Sequence, residues 1–135
     1  MPRVSVVVPV YNGERYLPQC LDSLMAQTLE DAEFVCVNDG STDSSLELLR
    51  RAEAQDGRFR VIDKPNAGYG HTINLGIAEP RGTYVGIVES DDFVEPYMFE
   101  RLLARAESDD LDVVRANYWL YWSTPEERDE LVDLC

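Results

Sequence analysis

Apolar runs and amphipathic segments alternate along the chain. The run from Val4 to Pro9 is almost wholly apolar and rich in β-branched residues, which is typical of a strand buried on both faces. Leu17, Leu21 and Leu24 then recur at helical spacing, and the same succession repeats further along. The other predicted strands are Phe34 to Val37, Phe59 to Ile62, Thr83 to Val88 and Val113-Val114, and the other predicted helices lie around Leu46 to Ala52, Thr72 to Ala78 and Met98 to Ala106.

This order of elements predicts an α/β fold: a Rossmann-like, mostly parallel sheet with helices on both faces. In such sheets, ligands bind beyond the carboxyl ends of the strands. Three polar segments directly follow predicted strands, namely Pro9 to Asn12, Asn38 to Gly40 and Glu89 to Asp92. We therefore expect the three segments to meet at one edge of the sheet and to form a site there.

The predicted boundaries place this α/β domain in residues 1–118 and a tail in residues 119–135. Thr124 to Glu127 resembles a capping box and predicts a short last helix, with a thin apolar side supplied by Leu131, Val132 and Leu134. Aromatic residues open the tail, and we expect them to cover an edge of the core or to pack against a further part of the enzyme. The alternatives are stacking on a sugar ring and, if the residues are exposed, self-association. These residues are Trp119, Tyr121 and Trp122.

The overall charge argues against nucleic acid as a partner. The chain carries 26 acidic and 12 basic residues, a formal net charge of −14, whereas a phosphate backbone requires a basic surface. Its three cysteines lack the paired spacing of a disulfide framework or a zinc site. The sequence shows neither a signal peptide nor an apolar run of roughly 20 residues, so we expect a cytoplasmic protein.

The most informative chemistry is the acidic segment Glu89-Ser90-Asp91-Asp92, which ends an apolar strand. Three carboxylates at the end of one strand are costly unless a positive charge lies among them. A divalent cation that also binds phosphate oxygens would supply that charge, which indicates a phosphorylated small molecule as ligand. The alternative is a solvated acidic turn with no ligand.

Four motifs in order along the chain together resemble glycosyltransferase family 2. The first is the run from Val4 to Asn12, and the second is Asn38 to Asp43. The third is Asn66-Ala67-Gly68, followed by Asn74-Leu75-Gly76, and the fourth is Gly82-Thr83-Tyr84, which leads into the acidic segment. The order of the four motifs makes this resemblance specific.

The resemblance implies a GT-A nucleotide-sugar-binding fold with Mn²⁺ or Mg²⁺ as cofactor. Pro9 and Tyr11 would line the nucleoside pocket, and Asp39 would hold the base. Asp91 and Asp92 would serve the ribose and the metal, which would bridge the two phosphates of the donor. The implied reaction is transfer of a sugar from a nucleotide diphosphate, UDP by family habit, with inversion, to a sugar, lipid or polysaccharide acceptor in polysaccharide or cell-wall biosynthesis.

Several positions depart from the family pattern. Glu89 replaces the usual aspartate, which leaves its metal or ribose role open. Asn38 replaces an acidic residue, and Ile73 stands where many members have an arginine near the diphosphate. Lys64 or His71 is a candidate to compensate for that arginine; the alternatives are a solvated lysine and a hydrogen-bonded loop histidine.

The chain ends soon after the acidic segment, and we expect the catalytic base to lie beyond residue 135. The chain is then the donor-binding half of a longer enzyme, which would act in the cytoplasm or at the inner face of a membrane. The alternative is a non-catalytic nucleotide-sugar-binding module. A nucleotidyltransferase is disfavoured, because the expected glycine-rich phosphate loop is absent after the first strand.

Overall fold

The structure is a computed structural model, and it describes residues 1–121 and 130–133. Its contacts divide the chain into two compact units, Met1–Glu100 and Arg101–Cys135. The expected boundary between residues 118 and 119 stays a prediction.

The first unit is built on a four-stranded parallel sheet. Its strands are β1 (Val4–Val10), β2 (Ala32–Asp39), β3 (Phe59–Lys64) and β4 (Tyr84–Ile87). In space their order is β3-β2-β1-β4, and every neighbouring pair is parallel. Successive strands are connected through the helices α1 (Leu17–Met25), α2 (Ser45–Gln55) and α3 (Tyr69–Ala78). The predicted α/β class with a parallel sheet is confirmed.

The two central strands form the core of this unit, and every residue of β1 and β2 is buried. Strands covered on both faces must be apolar almost throughout, which explains the continuous runs seen in the sequence. Helix α3 packs on the face that carries Val7 and Val37. The predicted role of Cys20 and Cys36 as small buried residues is confirmed, and both thiols are free.

Gly76 lies where α3 approaches the sheet most closely. A Cβ at this position would stand 2.3 Å from Cγ1 of Val7, whereas a Cβ at Gly70 of the same helix meets no atom within 4 Å. We expect Gly76→Ala to lower the free energy of unfolding by about 1–3 kcal/mol through overpacking. Gly70→Ala should be neutral or stabilise by up to about 1 kcal/mol, because alanine favours helix. Urea unfolding measures both variants, and equal stability of the two would contradict this packing.

The second unit corrects two predictions. Val113-Val114 was predicted to be a strand, but neither residue lies in regular structure. Val113 is 81% exposed, so its side chain gains little of the packing that favours a strand. Strand β5 instead comprises Tyr118–Leu120.

Leu131 and Val132 were predicted to lie in a helix and are found in β6 (Glu130–Val132). That strand pairs antiparallel with β5, so that Leu131 lies opposite Trp119 and Val132 opposite Tyr118. Aromatic and β-branched partners across two strands outweigh a weak helical pattern. The capping box at Thr124 to Glu127 lies outside the described residues, as do Trp122 and Leu134.

Helix α4 spans Met98–Ser108.

In the described part of the tail, the aromatic residues are about half exposed, with Trp119 at 57% and Tyr121 at 54%. Self-association through them stays a prediction. Among the residues described, no helix has the length and apolarity to cross a membrane.

Candidate functional site

The polar segments after the strands meet at the carboxyl edge of the sheet, as the topology requires. Val10 at the end of β1 pairs with Asn38, and Asp39 at the end of β2 pairs with Lys64 at the end of β3. Beyond β4, the Val88 amide still donates to the Val7 carbonyl at 3.0 Å, and the acidic segment begins directly after it. Four loops therefore leave the sheet at one edge.

Hydrogen bonds join the loop after β1 to the loop after β2. The Asn12 amide donates to Oγ of Ser41 at 3.0 Å, and the Thr42 amide donates to Oδ1 of Asn12 at 2.8 Å. Asn12 has a φ of 47°, a left-handed conformation that asparagine tolerates better than most residues. The Gly13 amide donates to Oγ of Ser45 at 3.0 Å. This part of the edge is thus fixed before any ligand binds.

Asp39 organises the loop between β3 and α3. Its Oδ1 accepts hydrogen bonds from Nζ of Lys64 and, at 2.8 Å, from the Ala67 amide. Its Oδ2 accepts from the Gly68 amide at 3.1 Å and from Nδ2 of Asn66 at 3.3 Å. Burial acts to raise the pKa of Asp39, but Lys64 and the two amides outweigh it and hold the pKa below its usual value. Asp39 is therefore a charged carboxylate with four donors already bound.

Lys64 is not the solvated loop lysine that its sequence context suggests. Its side chain is 9% exposed and that of Asp39 is 4% exposed, so the two form a buried ion pair. Nζ of Lys64 also donates to the Pro65 carbonyl at 3.2 Å. A role of Lys64 toward the diphosphate stays a prediction, because its amino group serves Asp39 here.

The three acidic side chains after β4 differ in their surroundings. Glu89 is half-buried, and its Oε1 accepts a hydrogen bond from Oη of Tyr69 at the start of α3. Asp91 and Asp92 are exposed, and within the described ranges 1–121 and 130–133 neither carboxylate has a hydrogen-bond or ion-pair partner. Desolvation, followed by the charges of Asp91 and Glu89, raises the pKa of Asp92.

A buried thiol lies beneath this segment. Sγ of Cys20 contacts the Glu89 carbonyl at 3.6 Å. Burial, with smaller contributions from the charges of Asp92 and Asp91, raises the pKa of Cys20 to about 12. The thiol is therefore neutral and adds no positive or ligating partner to the acidic segment.

The acidic segment suits a divalent cation whose remaining coordination positions are filled by a bound phosphate ligand and water. Mg²⁺ and Mn²⁺ take carboxylate oxygens, and Mg²⁺ commonly uses one or two carboxylates together with substrate phosphates and water. Asp91 and Asp92 offer such a pair with free oxygens. In the described part of the chain, no group of three or more His, Cys, Asp or Glu side chains is arranged to hold a metal ion by itself. The residues therefore suit a shared site better than a closed protein cage.

The remaining predicted site residues lie around the same edge. Pro9 is buried within β1, and Tyr11, which follows that strand, is 55% exposed. His71 is an exposed residue in the first turn of α3. Their roles toward a nucleotide stay predictions.

A separate cavity of about 410 Å³ lies at the opposite edge of the sheet. Glu33, which lines it, accepts hydrogen bonds from Oγ of Ser5 at 2.6 Å and from the Arg81 amide at 2.7 Å. Arg60 lies 3.8 Å from the other oxygen of Glu33. These bonds join strands and loops of the sheet, and we interpret the cavity as a surface hollow beside a structural polar cluster.

The family model described as "Glycosyl transferase family 2" matches residues 5–127. The chain belongs to glycosyltransferase family 2. It is 44% identical over 119 residues to "Uncharacterized glycosyltransferase EpsJ" of Bacillus subtilis (strain 168), a match that covers 88% of this chain and 35% of EpsJ. The chain thus spans about a third of the length of EpsJ and of a second relative, "Putative glycosyltransferase EpsH" of the same organism.

Solved structures confirm the GT-A resemblance. The crystal structure of S. aureus TarS 1-349 in complex with UDP-GlcNAc superposes with a TM-score of 0.74 and 29% identity over 80% of this chain and 32% of TarS 1-349. The mannosyltransferase PcManGT from Pyrobaculum calidifontis, in complex with GDP-Man and Mn²⁺, superposes with a TM-score of 0.63 and 27% identity over 68% of this chain and 28% of its own.

Proposed function

We propose that the chain is the donor-binding part of a metal-dependent glycosyltransferase that takes a sugar from a nucleotide diphosphate, with UDP-sugars as the favoured donors. One observation carries this proposal. At the carboxyl edge of the sheet, the buried carboxylate of Asp39 already has its cation, Lys64, whereas the neighbouring carboxylates of Asp91 and Asp92 are exposed and have no partner among the described residues.

Asp91 and Asp92 would hold the cation, and the donor's phosphate oxygens and water would complete its coordination. When bound, the cation supplies Lewis-acid stabilisation of the departing diphosphate, worth several kcal/mol. The chain itself has a net charge of −14 and repels a nucleotide diphosphate unless that charge is offset locally. Donor binding should therefore depend on the cation.

Tyr11 and Pro9 would form the wall of the nucleoside pocket, since they lie at the end of the central strand. Asp39 would accept a hydrogen bond from a ring N–H of the base. Its four acceptor positions are filled in this structure, so this contact requires one existing bond to lengthen. The inverting course, the acceptor and a catalytic base beyond residue 135 belong to the same proposal.

The complexes of TarS with UDP-GlcNAc and of PcManGT with GDP-Man and Mn²⁺ support a nucleotide-sugar ligand and a divalent cation. Because the chain spans only about a third of its relatives, a non-catalytic nucleotide-sugar-binding module is the second candidate function.

Calorimetric titration of UDP into the chain tests the proposal. With Mn²⁺ present we expect saturable binding, and with EDTA binding at least about tenfold weaker, because two opposite charges about 4 Å apart near a protein surface attract by about 4 kcal/mol and each step of about 1.4 kcal/mol is a factor of ten. Equal affinity in the two buffers would contradict the metal-dependent site. Incubation with UDP-GlcNAc and Mn²⁺ then separates the two candidates, since release of free sugar indicates an enzyme and binding without release indicates a module.

A further inference from the structure

Tyr69 and Glu89 connect two segments that leave the sheet at separate strands. Tyr69 is the first residue of α3, and Glu89 follows β4. The hydroxyl Oη of Tyr69 donates to Oε1 of Glu89. In the sheet, β1 lies between β2 and β4. The loop before Tyr69 is held at the end of β2, and Glu89 follows β4. The bond between Tyr69 and Glu89 therefore crosses the end of β1.

The loop that precedes Tyr69 is also held by Asp39. Its carboxylate binds the amides of Ala67 and Gly68 at 2.8 and 3.1 Å, and Asn66 donates to the Asp39 carbonyl at 3.1 Å. Gly68 has a φ of 92°, a conformation that strongly favours glycine, and α3 begins at the next residue. Asp39 therefore holds residues 66–68 of the loop, and Tyr69, the residue that follows them, connects the same segment to Glu89.

Glu89 is suited to this bond by its length. An aspartate at position 89 is one methylene shorter, so its carboxylate would not reach the Tyr69 hydroxyl that Glu89 contacts directly. Glu89 is also half-buried, whereas Asp91 and Asp92 are exposed. Tyr69 is 59% exposed although its hydroxyl is bound.

We propose that Tyr69 and Glu89 form a tether that positions the loop of residues 65–68 over the donor site, so that Glu89 serves as the anchor of Tyr69 and not as a ligand of the cation. This inference rests on the proposed function. The tether fixes the loop before the donor arrives, and a preorganised loop loses less conformational freedom on binding. Tyr69 and Glu89 are positioning residues, and the cation is left to Asp91 and Asp92.

Two substitutions at Glu89 separate the tether from a ligand role because they act in opposite directions. Glu89→Gln keeps the length and the acceptor oxygen but loses the charge, whereas Glu89→Asp keeps the charge but loses the reach. If Glu89 is a tether, UDP affinity is kept in Glu89→Gln and lost in Glu89→Asp. If Glu89 is a cation ligand, UDP affinity is kept in Glu89→Asp and lost in Glu89→Gln.

The experiment measures the dissociation constant of UDP with Mn²⁺, and of Mn²⁺ alone, for the full chain and its variants. We expect Tyr69→Phe and Glu89→Asp each to weaken UDP binding by about five- to tenfold, and Glu89→Gln by no more than about twofold. The double variant Tyr69→Phe with Glu89→Asp should be no weaker than either single variant, because both remove one bond. The affinity for Mn²⁺ alone should be the same in Glu89→Gln and wild type.

Tyr84→Phe is the matched control, because it removes a hydroxyl at the first residue of β4, at the opposite edge of the sheet. Wild-type UDP affinity in Glu89→Asp with a loss in Glu89→Gln would overturn the tether, and so would additive effects in the double variant. If wild type binds UDP with Mn²⁺ but Tyr69→Phe binds equally well, the tether alone is wrong. If wild type itself fails to bind, the proposed function and the tether both fail.

Discussion

Asp39→Asn is expected to lower the free energy of unfolding by about 3 kcal/mol, because it removes one partner of a buried ion pair and leaves the other charge uncompensated. The side chain of Lys64 is 9% exposed, so most of it stays out of water when its partner loses the charge. The neutral amide also weakens the bonds from Ala67 and Gly68, which an ionised acceptor makes stronger. Urea unfolding at neutral pH measures the change.

The exposed pair of Glu47 and Arg51 provides the control. Its side chains are 63% and 68% exposed, so Glu47→Gln should cost no more than about 0.5 kcal/mol. If Asp39→Asn lowers the free energy of unfolding as little as Glu47→Gln does, Lys64 is not buried against Asp39 in solution.

The dependence on pH follows from the lowered pKa of Asp39. Because its pKa is lower in the folded than in the unfolded chain, its ionised form contributes stability above the ordinary aspartate pKa of about 3.9. That contribution is lost as the pH falls through the folded-state pKa. The difference in stability between wild type and Asp39→Asn should therefore be constant near neutrality and shrink below about pH 4.

The fold could be predicted from the sequence wherever burial on both faces makes a strand continuously apolar. Val4 to Pro9 and Phe34 to Val37 were identified for this reason, and their parallel pairing follows from the helices between them. Val113-Val114 and the pair Leu131 and Val132 were misassigned, because two apolar residues do not specify an element without knowledge of what packs on them.

The location of the site could also be predicted, since parallel strands bring the segments that follow them to one edge. The partners within the site could not. The bond from Lys64 to Asp39 joins residues 25 positions apart, and that from Tyr69 to Glu89 joins residues 20 apart. At position 89, glutamate in place of the usual aspartate is visible in the sequence, but that Tyr69 is its partner is not.

Asn38, a second departure from the family pattern, gains an explanation from strand register. It pairs with Asp63 across β2 and β3, and its Nδ2 donates to Oδ1 of Asp63 at 2.8 Å. An aspartate at position 38 would place two like charges opposite each other, which destabilises neighbouring strands. Only the register shows that Asp63 is the neighbour, so the sequence could not supply this reason.

The double variant Asp91→Asn with Asp92→Asn is expected to weaken Mn²⁺-dependent binding of UDP by about 100-fold. Two opposite charges about 4 Å apart near a protein surface attract each other by about 4 kcal/mol, and a loss of about 2.8 kcal/mol already corresponds to a factor of about 100 in binding. The fold should persist, because within the described residues neither side chain makes a hydrogen bond or an ion pair.

A matched control is available elsewhere in the chain. Asp109 and Asp110 are another adjacent pair, and Asp109 forms an ion pair with Arg105. Asp110 has a φ of 53°, which asparagine also tolerates, so Asp109→Asn with Asp110→Asn changes the net charge equally at little conformational cost. This control separates the local effect of the site from the general effect of a less acidic chain.

The most direct test of a cation held by Asp91 and Asp92 is therefore calorimetric titration of UDP, with Mn²⁺ and with EDTA, into wild type and these two double variants. We expect Mn²⁺-dependent binding by wild type and by the Asp109 and Asp110 variant, and binding about 100-fold weaker by the Asp91 and Asp92 variant. Equal UDP affinity of all three proteins in the presence of Mn²⁺ would contradict this expectation.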